Sequence, residues 1–169
     1  MNRRTTLSAI SAALLLAGFA MPAGFAAAQS GKQIQGTWAP VSVVSTDASG
    51  KKSDTFGPNA KGQLVFLPNG RYSLTLTSAS LPKFASNNRA QGTADENKAV
   101  VAGSIAHFGK YTVDEKGKTF TFHIDNATFA NWNGTAQKRP FSVKGDELKY
   151  SVGAGSAGGT AELVWKRVK

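Results

Sequence analysis

Past position 28, apolar and polar residues follow one another at the two-residue period of half-buried strands, broken by clusters of Gly, Asn, Asp, Pro and Lys. The segment 38–46 (WAPVSVVST) is β-branched and stops at Asp47-Ala48-Ser49-Gly50, which predicts a first strand. A loop containing Phe56-Gly57-Pro58-Asn59 follows. Residues 63–67 and 71–77 flank Pro68-Asn69-Gly70, and Asn-Gly between two apolar runs predicts a hairpin because both residues tolerate positive φ. Residues 81–92 have no period and predict a loop. Thr93-Ala94-Asp95-Glu96 then matches a capping box, with Val100, Val101 and Ile105 at helical spacing, so one short helix is predicted over about 94–104. Strands return over 109–113 and 119–125 around the turn Glu115-Lys116-Gly117. A polar loop spans 126–136, and 138–143 pairs in sequence with 147–152 across Lys144-Gly145-Asp146. The glycines between 153 and 159 lead into a last strand over 160–168.

Eight strands and one helix joined by short connections predict an all-β fold, an eight-stranded antiparallel up-and-down barrel whose closure removes the exposed edges. A two-sheet sandwich uses the same strands but needs longer crossovers.

Residues 1–28 break this pattern. Arg3 and Arg4 precede an apolar stretch over 7–20 and the small-residue run Ala26-Ala27-Ala28, which predicts a secretory signal cleaved near Ala28. Arg3-Arg4-Thr5-Thr6-Leu7 also loosely fits a twin-arginine signal. A mature domain over 29–169 in the periplasm or outside the cell is expected either way. Cysteine is absent, which excludes disulfides, thiolate metal sites and thiol catalysis. The chain carries a net charge of +10, and losing Arg3 and Arg4 leaves it clearly basic. Its lysines are scattered near presumed turns and not clustered with aromatics, so a nucleic-acid partner is not expected. Attraction to anionic membranes or anionic ligands stays open.

Several motifs fail on context. Gly153-Ala154-Gly155-Ser156-Ala157-Gly158 fits a nucleotide-binding fingerprint, but a strand follows it where the helix should be. Ser156 likewise lacks the setting of a hydrolase nucleophile. His107 and His123 lie sixteen residues apart with no carboxylate cluster, so neither a metal nor a cofactor is expected. Asp125 shares a strand face with His123, which suits a weak acid–base pair if that face points inward; if Phe120, Phe122 and Ile124 point inward, His123 is exterior. Alternation places Tyr72 with Leu74 and Leu76, Tyr111 with Val113, Arg139 with Phe141 and Val143, and Tyr150 with Leu148 and Val152. Polar groups on otherwise apolar faces suit a small amphipathic or anionic ligand, or a filled core in which they satisfy one another.

At Gly36-Thr37-Trp38 the chain resembles the lipocalin signature, and Trp165-Lys166-Arg167 near the other end supplies the basic residue that packs across such a tryptophan. The chain is more closely similar to the bacterial lipocalin-like domain proteins. The shared motifs are Phe56-Gly57-Pro58-Asn59, Pro68-Asn69-Gly70-Arg71-Tyr72, Pro82-Lys83-Phe84-Ala85, the acidic helix at 93–101, the segment 108–113, and the segment 131–139 with Asn131, Trp132 and Arg139. The resemblance covers the whole expected mature domain and implies a lipocalin-type barrel. Gly36, Trp38 and Arg167 are then structural. A ligand site of Tyr72, Tyr111, His123, Asn131, Trp132, Arg139 and Tyr150 is expected to hold a small hydrophobic or amphipathic molecule. The alternatives are a lipocalin-fold isomerase or cyclase with His123 or Tyr111 as proton donor, and a cell-envelope interaction protein with a filled barrel and a basic surface.

Overall fold

The structure, a computed structural model, describes residues 31–169; the export signal expected over 1–28 lies outside them. Nine strands follow in chain order: β1 Gly36–Thr46, β2 Lys52–Asp54, β3 Lys61–Phe66, β4 Arg71–Thr77, β5 Ser104–Asp114, β6 Thr119–Ala127, β7 Ala136–Lys144, β8 Glu147–Val152 and β9 Thr160–Arg167. All neighbours are antiparallel, and β9 returns to pair with β1 from Trp38↔Arg167 to Thr46↔Thr160, so β1 and β3–β9 close an eight-stranded barrel. The helix α1, Ala94–Ala102, packs outside it.

The barrel closes unevenly. β3 pairs with β1 only over Gly36–Trp38, and beyond that point the free side of β1 is taken by the short β2 at Val44–Thr46. The connection from β2 to β3 covers the gap: Thr55 donates its amide to the Val43 carbonyl at 3.0 Å, and Phe56 beside it is buried. β2 was not predicted, because its three residues are all exposed and show no alternation.

Alternation decides what faces inward. Phe120, Phe122 and Ile124 take the interior of β6, with Phe66 stacked on Phe122 at 5.9 Å and meeting Phe120 edge-on at 5.4 Å. At one end, the base, Trp38, Phe66 and Trp165 are fully buried with Ile34. The Trp38 indole N–H donates to the Ile34 carbonyl at 2.7 Å, and the Arg167 guanidinium lies 4.1 Å above the Trp38 ring. Arg167 also donates to the Gln35 and Gln33 carbonyls, and Gly36, at φ +115, lets the chain turn into β1 with that guanidinium close by.

The helix ends earlier than its sequence period suggests. Thr93 and Glu96 form the predicted capping box, yet α1 stops at Ala102 and β5 starts at Ser104, so Ile105 belongs to the strand and not to the helix. β5 is therefore five residues longer at its start than the predicted strand over 109–113, and it carries His107 into the wall.

Candidate functional site

Opposite the base, the inward positions of the strands surround a cavity of about 100 Å³. Leu74 and Leu76 from β4, Ile105 and His107 from β5, Phe122 from β6, Arg139 from β7, and Tyr150 and Val152 from β8 line it because each sits on the buried side of its strand's alternation. Trp132 enters from the short 3₁₀ turn Ala130–Trp132, its ring edge-on to His107 at 5.7 Å. Gly155–Gly158, from the connection between β8 and β9, close one side.

Arg139 is the charge in this lining. It is 8% exposed, with Nη1 donating to the Lys138 carbonyl at 3.1 Å and Nη2 donating to the Gln137 side-chain oxygen. No carboxylate pairs with it among the described residues, and residues 1–30 contain neither Asp nor Glu. Burial lowers its pKa from the ordinary guanidinium value, while Tyr150 and Tyr72 act in the opposite sense; an arginine so placed still keeps its charge in neutral water.

The neighbouring polar groups are neutral. Burial first, and the Arg139 charge second, push His107 down to about 4, so its imidazole is uncharged at neutral pH. A hydrogen bond of 2.8 Å joins its Nδ1 to the Tyr72 hydroxyl. Burial raises the Tyr72 phenol, with the Asp125 charge adding to the effect, and burial raises Tyr150 against the opposing pull of Arg139. The Trp165 indole N–H acts on the Tyr150 hydroxyl without reaching hydrogen-bond geometry, and it is left unpartnered in the core. The chamber therefore offers one net positive charge inside aromatic and aliphatic walls.

The expected site residues separate into three groups. Arg139, Tyr150 and Trp132 line the cavity, and Tyr72 stands behind His107. Tyr111 is buried in the base instead, 4.8 Å from Phe66 with its hydroxyl donating to the Leu67 carbonyl at 2.9 Å. His123 and Asn131 are exposed. The inward-facing arrangement of His123 is thereby corrected: Phe122 and Ile124 on either side take the interior, and His123 bonds Thr112 at 3.1 Å on the outer face. Asp125 does not partner it but pairs with Arg71 at 3.0 Å. His107 and Phe56 were missed as lining residues. Ile105, His107 and Tyr111 do share one strand face, but the helical spacing of Ile105 with Val101 and the capping box upstream drew the strand start to Gly109.

Comparison with known proteins addresses the fold and not the ligand. No curated protein matches the sequence. Among solved structures the chain is similar to a redesigned β-barrel, with 16% identity, a TM-score of 0.42, and coverage of 85% of this chain and 96% of that one. The profile of the lipocalin-like domain matches residues 35–168, from just before β1 to just after β9. With a match spanning every strand of the barrel, the chain belongs to the lipocalin-like domain family.

Proposed function

We propose that this protein is an exported carrier that holds a small amphipathic anion in the mouth of its barrel. The observation that carries the proposal is Arg139, a buried guanidinium without a carboxylate partner that borders an open, mostly apolar cavity. Burying a charge without a counter-ion is costly, and a bound anion would remove that cost. Tyr150, Trp132 and Phe122 supply apolar wall, and His107 and Tyr72 supply neutral polar edges. Residues 1–28 would direct the chain to the periplasm or beyond.

An isomerase or cyclase using His123 or Tyr111 as proton donor has less support, since one side chain is outside the barrel and the other is bonded in its base. A solid barrel acting through its basic surface would leave Arg139 buried to no purpose. The test is mass spectrometry of small molecules released on denaturing the protein purified from an envelope fraction, beside an Arg139→Ala control. An anionic amphiphile carried by the natural chain and missing from the control is expected. Identical contents in both, or no bound molecule in either, would count against a carrier.

A further inference from the structure

A second hollow adjoins the Arg139 chamber at the mouth of the barrel, beside the end of α1. Its volume is about 440 Å³, and it shares Thr55, Phe56, Ile105, Ser156 and Ala157 with the lining of the inner chamber. Its own wall adds Val100 and Val101 from α1 and Phe129 after β6, and no charged side chain contributes to it. Val101 is 78% exposed, an apolar side chain held open to water at the rim.

The two spaces thus differ in chemistry. The inner one is too small for more than a compact group and holds Arg139, which pairs with no carboxylate among the described residues; the outer one is larger, uncharged and apolar. A guanidinium with free donors matches a planar carboxylate, which accepts two parallel hydrogen bonds from it. Because His107 and the tyrosines are neutral, a single negative charge balances the chamber.

We infer that the outer hollow is a tail subsite, so that an apolar-chain monocarboxylate binds with its carboxylate inward at Arg139 and its chain outward past Phe56 into the space beside the end of α1. This rests on the carrier reading above and adds to it an orientation, a chemical class and a residue that governs tail entry. Phe56 governs entry because it is buried in the gap between β1 and β3 and borders both spaces.

The experiment is calorimetric titration of the purified protein with sodium acetate, butanoate, octanoate and palmitate, and with octanol as the uncharged control. It is repeated for Arg139→Gln, Val101→Asp and Phe129→Ala, with circular dichroism of each variant. Val101 is so exposed that its replacement leaves the barrel intact. Affinity is expected to rise with chain length by up to about fourfold for each methylene that becomes buried. Val101→Asp and Phe129→Ala should flatten that rise for the long chains and leave butanoate unchanged. Arg139→Gln should weaken every carboxylate about tenfold or more and leave octanol unchanged. Arg139-dependent binding that gains nothing with chain length, or gains equally in the rim variants, overturns the tail subsite and leaves the carrier standing. Octanol binding as tightly as octanoate overturns the inward carboxylate. If no carboxylate binds at any length, the carrier and the tail subsite fall together.

Discussion

A histidine inside an apolar wall is tolerated while it stays neutral, and His107 makes that requirement measurable. Its pKa is pushed from the ordinary 6.5 down to about 4, with burial as the larger cause and Arg139 as the smaller. Between those pH values the unfolded chain binds a proton that the folded chain refuses. Stability therefore rises with pH through this window, is complete above 6.5, and is lost on acidification toward pH 4, by about 3 kcal/mol in all. Urea denaturation across pH 4 to 7 should show this slope, and His107→Gln should remove that part of it. Equal slopes in the two proteins would mean that the imidazole is solvated. The outward residues behave differently: His123→Ala should change neither the stability nor ligand binding by more than about 0.5 kcal/mol, since it is exposed and makes one side-chain hydrogen bond, to Thr112.

At the scale of elements, the site depends on where β5 begins and on how it lies against β6. The ladder between them shifts register between Phe108 and Gly109, so Asp125 is the extra residue on β6. At that point a β-carbon on Gly109 would lie 2.0 Å from the His123 carbonyl oxygen. Gly109→Ala should force the strands apart and cost about 2 kcal/mol or more, read as a fall in the denaturation midpoint. The cap of α1 predicts a smaller, local effect. Thr93 accepts from the Glu96 amide at 3.2 Å, and Thr93→Ala should cost the helix about 1 kcal/mol, seen as faster hydrogen exchange in Ala94–Ala102 with the barrel amides unchanged.

These elements also mark how far the sequence could be read. The hairpin at Asn69-Gly70 was legible because its turn chemistry is local: Gly70 has φ +79, and the Asn69 side chain accepts from the Arg71 amide. The faces of Tyr72, Arg139 and Tyr150 were legible because alternation is local too. The start of β5 was not, because a helix that ends at Ala102 and a strand that starts at Ser104 leave only Gly103 to separate the two periods. Phe56 carries only a loop signal in the sequence, because its role depends on the widening between β1 and β3, a consequence of closure that has no local signal.

Across the whole molecule, the base and the mouth play opposite parts in stability. The charge in the base is satisfied: Arg167 covers the Trp38 ring and donates to two carbonyls that belong to the chain entering β1. Arg167→Ala should lower stability by about 2 kcal/mol and leave the ligand response intact, as thermal unfolding with and without octanoate would show. The mouth holds the reverse arrangement, an arginine buried without a counter-ion beside a hollow. Proteins give up stability at binding sites in this way, and an apolar residue of similar length there should restore it. The most direct measurement is therefore thermal unfolding of Arg139→Met beside the natural chain, each alone and with saturating octanoate. Arg139→Met should melt higher than the natural chain when both are empty and gain little or nothing from octanoate, whereas the natural chain is stabilised. An empty variant that melts lower, together with an undiminished response to octanoate, would contradict the carrier reading and make Arg139 a packing residue of a closed core.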